Sequence, residues 1–213
     1  MGARQLCGRK GEDALVTGKK LNLEPYTQWE PGVRSASSAC GPSTMAAITE
    51  YWGRRLGKPD MIGKKRFRSK AEHINHLYNR YRGRPWGMSA RGFASGLQAY
   101  LRDSLGNSAT VLLRRFNDFS LYKSEIDAGR PVAVKFDKWF SLRWLGGYAY
   151  DYHWTVGTGY EMTETGLLWL IVQDNGSKRA NGGFAASRER RIDYGANRAV
   201  ITMVALDFIQ AGQ

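Results

Sequence analysis

The chain has 213 residues, 42% of them hydrophobic and 12% aromatic, a composition that excludes a disordered chain and gives enough apolar material for one buried domain. Lys and Arg total 32 against 19 Asp and Glu, and the formal charge of +13 favours an anionic partner without choosing among nucleic acid, acidic cell-wall polymer, anionic lipid and acidic protein. Two cysteines, Cys7 and Cys40, exclude a disulfide scaffold, and no apolar run approaches the roughly 20 residues of a membrane-spanning helix.

Residues 1–22 are polar, basic and without periodicity, so they are expected to form an arm outside the fold, with one domain over 23–213. This N-terminus lacks the apolar core of a secretory signal and the Ser or Thr of a myristoylation signal. The default location is therefore cytoplasmic, with export by another route left open. Pro25 to Gly32 reads as an extended segment ending in a turn.

A helix is predicted to begin at Cys40. Pro42 suits its first turn, and Met45, Ile48 and Trp52 recur at helical spacing, so one face should enter a core. Gly57 and Pro59 end it. A basic, turn-rich stretch runs from Lys58 to Lys70. Ser69 then caps a helix bearing Ile74, Leu77, Tyr78 and Tyr81, and Ser89 opens another bearing Phe93, Leu97, Tyr100 and Leu101, closed by Gly106. Residues 58–105 thus form a helical insertion. The second half changes character. A strand over 110–113 and a helix over 118–128 precede strands at 131–136, 153–160, 167–172 and 198–206, with a Trp- and Gly-rich loop over 138–149. Helices first and consecutive strands after argue an α+β fold with an antiparallel sheet.

The partial positive charge at a helix N-terminus favours the thiolate, the nucleophilic form of cysteine, so Cys40 is a candidate nucleophile. A buried structural cysteine is the rival reading. Of three histidines, His153 opens a strand and is the natural base; Asp174, or the amide of Asn175, would hold its far nitrogen. Gln28 and the Cys40 backbone N–H would be oxyanion donors. His73 and His76, three apart on a helix, have no further ligands beside them and are expected on a solvated helix face, so no metal and no cofactor is expected. Lys64 to Arg66 and Arg188 to Arg191 read as solvated surface.

Gln28-Trp29-Glu30 followed by Cys40-Gly41-Pro42-Ser43-Thr44-Met45-Ala46 resembles the N-terminal motif of bacterial papain-like cysteine peptidases of the bacteriocin-processing (double-glycine leader) type, and their stand-alone relatives above all. Gly129 to Val134, His153 to Gly157 and Gln173-Asp174 resemble the strands that follow in that family, over roughly residues 23–177. The resemblance implies a papain-like α+β fold, a nucleophile helix packed on a C-terminal antiparallel sheet, and thiol peptidase chemistry. It carries Cys40 to nucleophile, His153 to base, Asp174 to orienter and Gln28 to the oxyanion hole. Asn175-Gly176 stands where the family commonly has proline after the aspartate, and no transporter domain accompanies the motif. The expected partner is a peptide or protein substrate, hydrolysed at a peptide or cell-wall-type amide bond. The alternative is a non-catalytic module that binds nucleic acid or a wall polymer through its basic surface. Neither reading sets the oligomeric state.

Overall fold

A computed structural model describes residues 15–106, 109–178 and 183–210. Cys7 lies outside the described residues. A first strand, β1 (Leu15–Lys20), precedes the long helix α1 (Cys40–Arg55). The single-turn α2 (Gly63–Arg66) and the helices α3 (Lys70–Arg80) and α4 (Ala90–Leu105) follow. Next come β2 (Ala109–Phe116), α5 (Phe119–Asp127), β3 (Val132–Asp137), β4 (Tyr152–Thr163) and β5 (Leu168–Asp174). The chain ends with the short β6 (Ser177–Lys178) and β7 (Phe184–Ala185), then β8 (Arg188–Asp193), α6 (Tyr194–Asn197) and β9 (Ile201–Gln210). The architecture is the expected α+β one, a helical half against an antiparallel sheet.

Capping chemistry sets the helix starts. Ser69 Oγ accepts the N–H of Glu72 at 3.1 Å, and the Glu72 carboxylate reaches back to the Arg68 N–H, a reciprocal cap that satisfies two otherwise orphaned donors. Ser89 and Asp118 cap α4 and α5 in the simpler form, each accepting the N–H three residues on. α1 has no side-chain cap; it grows from a 3-10 turn at Ala36–Ser38.

Every residue of α1 from Cys40 to Glu50 is buried, where the spacing predicts one buried face. Sheet strands β3 and β4 cover one side, and α3 and α4 the other. Small residues (Ser43, Thr44, Ala46, Ala47) let both layers approach closely, so the polar side never meets solvent.

The sheet runs β2-β9-β3-β4-β5-β8, antiparallel throughout, with β1 also on β4. β3 pairs with β4 from Tyr152 to Gly157, and β1 continues along the same edge from Gly159 to Thr163. Residues 15–20 are thus part of the sheet rather than of a free arm. Such an edge strand is held by backbone pairing and needs no hydrophobic alternation, which is why composition misses it. β8 is likewise a strand where a solvated charge run is expected, and β9 begins three residues later than predicted, after a 3-10 turn at Arg198–Val200.

Two cores flank the sheet. Ala133, Trp154, Val156, Val204 and Leu206 join Met45, Ile48, Phe93 and Tyr100 on the helical side, where Trp154 stacks on Phe93 at 4.3 Å. Val132, Val134, Phe136, Leu170 and Val172 pack with Tyr122, Ile126 and Tyr194 on the other. Gly53 lets α1 meet the 3-10 turn at Pro59–Met61; a Cβ there would stand 2.7 Å from Met61 Cβ and 3.0 Å from Ile62 Cγ1. Gly53→Ala should therefore destabilise the protein by about 1–3 kcal/mol despite alanine's better helix propensity, read as a lower urea midpoint at unchanged slope.

Candidate active site

Cys40 is the first residue of α1, and its thiol is unpaired and buried. Its backbone N–H is one of the N-terminal donors with no intrahelical acceptor, and the helix dipole points its positive end at the sulfur. Gly41 follows because Met88 fills the adjoining space: a Cβ there would meet Met88 Cβ at 3.1 Å.

His153 stands in the first turn of pairing of β4, and Asp174 ends β5. In the β4–β5 register Asp174 lies opposite Thr155, two residues from His153 on the same face, so carboxylate and imidazole are diagonal neighbours. His153 Nε2 donates to Asp174 Oδ1 at 3.0 Å, which leaves Nδ1 for the thiol. The other carboxylate oxygen accepts the Tyr150 hydroxyl at 2.7 Å and has Arg190 Nη1 at 3.5 Å, while the Gly176 N–H donates to Oδ1 at 2.9 Å. Burial alone pushes His153 down, but the Asp174 carboxylate and the interaction with Cys40 outweigh it and push it up to about 9. Burial likewise works against an ionised Asp174, and the hydrogen bonds from His153, Tyr150 and Gly176 hold its carboxyl below the usual carboxylate range.

Asn175 does a different job from its neighbour. Its amide nitrogen, fully buried, faces the Cys40 carbonyl at 2.9 Å, the Trp154 carbonyl at 2.8 Å and Thr44 Oγ1 at 2.7 Å. Asp174, not Asn175, touches the imidazole. The Asn175 carbonyl accepts the Gln28 backbone N–H at 3.0 Å, which draws the Gln28 segment to the same place. Gln28 is buried, and one of its amide hydrogens goes to the Ala36 carbonyl at 2.7 Å. The second amide hydrogen remains for another acceptor.

The structure thus gathers Gln28, Cys40, His153, Asp174 and Asn175 around one helix terminus. Such a set can hold a thiolate beside an imidazolium and offer two donors to a developing negative charge. Sequence reasoning misses Tyr150 and Arg190. Tyr150 lies just past the Trp- and Gly-rich loop, two residues before β4, and its ring sits 4.8 Å from the imidazole, under the Arg190 guanidinium at 4.7 Å. No local signal marks either residue; only the pairing of β8 with β5 brings Arg190 near.

His73 is not on a solvated face. It is fully buried, stacked on Phe67 at 4.8 Å, with Nδ1 and Nε2 at 3.3 and 3.2 Å from the Tyr26 and Tyr100 hydroxyls. Burial pushes it down to about 3, so it is neutral. Both nitrogens are occupied, and among the described residues no cluster of His, Cys, Asp and Glu suits a metal ion.

The model of the Peptidase_C39-like family matches residues 20–192 of this chain. None of the curated proteins compared with it matches. Among solved structures, the bromelain protease from Ananas comosus in complex with the E64 inhibitor is similar to it at 16% identity, over 85% of this chain and 92% of that one, with a TM-score of 0.45.

Asn175→Asp replaces the two amide donors by an acceptor facing two buried carbonyls. It should cost about 2 kcal/mol or more in chemical denaturation, more than Asn175→Ala, which removes the donors without adding repulsion.

Proposed function

This chain belongs to the Peptidase_C39-like family, and on that premise we propose that it is a cysteine peptidase or amidase working through a thiol acyl-enzyme. The Cys40 thiolate attacks the acyl carbon of an amide, a C–S bond forms, and the carbonyl electron pair moves onto oxygen. The spare Gln28 amide hydrogen and the Cys40 N–H hold that oxyanion. The His153 imidazolium protonates the leaving nitrogen as the C–N bond breaks. Water, deprotonated by the now neutral His153, then attacks the thioester and releases the acid and the thiol. Asp174 keeps Nε2 protonated throughout, so that Nδ1 is the nitrogen that exchanges the proton. Peptide bonds of proteins and amide bonds of cell-wall peptides are both within this chemistry.

The observation that carries the reading is the 3.0 Å bond from His153 Nε2 to a buried, ionised Asp174, on a ring whose other side interacts with Cys40. A structural cysteine requires no such pair. The formal charge of +13 supports a second reading, a module that binds an anionic polymer. That reading requires affinity for a polyanion that falls steeply with salt and survives Cys40→Ala.

With Cys7→Ser in every protein, iodoacetamide should label Cys40 rapidly at about pH 6, and this fast labelling should collapse in His153→Ala. Slow labelling in both proteins, rising only through the ordinary thiol range, sinks the enzyme reading. The pH profile has a definite sign. His153 is charged below about 9 and neutral above it, so hydrolysis should fall as pH rises through about 9, while alkylation, which needs only the thiolate, should not. Gln28→Ala should lower turnover by about 10²–10³-fold and leave alkylation of Cys40 largely intact.

A further inference from the structure

Across Met88 from Gly41, the residue after Cys40, lies a cavity of about 270 Å³ that the chemistry above does not use. Its inner wall is Met88, which packs on Gly41, and Tyr152, the residue before His153. The Tyr152 hydroxyl accepts the Met88 N–H at 2.6 Å and donates to the Met88 carbonyl at 2.9 Å; Trp154 Nε1 donates to the same carbonyl at 2.8 Å. The wall is therefore fixed to the strand that carries the imidazole. Burial first, and the charge of Cys40 second, hold the Tyr152 phenol in its neutral form.

The outer wall has a different chemistry. Trp86 and Phe140, from two segments far apart in sequence, line the cavity while remaining 81% and 84% exposed. Arg82 and Arg84 line the same cavity, and among the described residues neither has an ion-pair partner. Arg82 sits at φ +71°, a left-handed backbone that glycine would adopt without strain. The third cation, Lys135, is already neutralised by Asp137 and lies against the Phe140 and Tyr152 rings, so it supports the aromatic wall and attracts no further anion.

We propose that this cavity is a substrate side-chain subsite of the Cys40 cleft and that it selects a residue bearing a carboxylate. The inference rests on the peptidase reading and adds its substrate class. Guanidinium forks match a carboxylate in geometry and charge, and the two exposed aromatic rings cover the apolar stem behind it. The volume suits one side chain rather than a whole ligand. A Glu side chain in a protein and the free α-carboxylate of a γ-linked glutamyl residue in a cell-wall peptide present the same group.

The test uses the full chain and peptidyl vinyl sulfones, which react with an active thiol. Paired probes carry Glu or Gln at each of the first three positions from the electrophile, in α- and in γ-linkage. Inactivation rates are taken at about 0.5 M salt, where attraction by net charge is screened, and each is divided by the iodoacetamide rate of the same protein. In the wild type a Glu probe should react about tenfold faster than its Gln partner at one position. The ratio should fall to near one in Arg82→Gln/Arg84→Gln and invert in Arg82→Glu/Arg84→Glu. The faster linkage then identifies the source, protein or wall peptide. A ratio near one in the wild type, with fast iodoacetamide labelling, overturns the subsite and leaves the peptidase reading standing. A tenfold ratio that both double variants retain overturns the assignment to this cavity. Slow iodoacetamide labelling of the wild type overturns both.

Discussion

The side-chain amide of Asn175 is the joint on which this molecule depends. With two hydrogens it serves an acceptor on α1, the Cys40 carbonyl, and one on the sheet, the Trp154 carbonyl, and Thr44 Oγ1 shares them. Its own backbone carbonyl takes in the Gln28 N–H. One residue therefore fixes the helix terminus, the His-bearing strand and the Gln28 segment relative to one another. The contacts are desolvated, so each is worth more than it would be at the surface and costs more to lose. This bond set ties the backbone that carries Cys40 to the backbone beside His153.

Charge in this protein follows one rule: a carboxylate taken out of water is given its own cations or donors. Glu50 is fully buried and bonded to Arg54 and to the Tyr26 hydroxyl. Glu125 has Arg114 and Arg130, and Asp137 has Lys135. Asp174 has His153, Tyr150 and Arg190. Buried pairs gain little net stability, because desolvation offsets most of the attraction, but an orphaned partner is expensive. Three of these clusters hold architecture. The fourth differs in that its cation is an imidazole, which can release its proton, and in that a thiol lies on the far side of the ring.

How much of this was legible in the sequence follows from how local each signal is. Caps and glycine stops act over three or four residues, so Ser69, Ser89, Asp118 and Gly106 mark the helix ends well. The Cys40 helix and the His153 strand are equally plain from spacing, because burial and periodicity leave their mark there. The choice between Asp174 and Asn175 is not local. It depends on which of two adjacent side chains in β5 and its exit points at β4, and the pleat decides that only once the register is known. β1, β8 and Arg190 are invisible for the same reason. Their place comes from backbone pairing with strands far away in sequence, and their side chains look like solvated surface. His73 misleads in the opposite direction, since its ring stands among Phe67, Tyr26 and Tyr100, each from a different segment.

The position of β9 bears on the order in which the chain assembles. It lies between β2 and β3, and β3 is the neighbour of the strand that carries His153. During synthesis β2 and β3 are made some 65 residues or more before their common partner, so until residues 201–210 emerge both have an unpaired edge. Pairings of such sequence separation form slowly, because the loop between them must be closed before the contacts repay its entropy. The helix bearing the thiol can form early from local signals, whereas the sheet that carries His153 closes only once β9 is made. A nascent chain is thus kept without a finished sheet until residues 201–210 have left the ribosome.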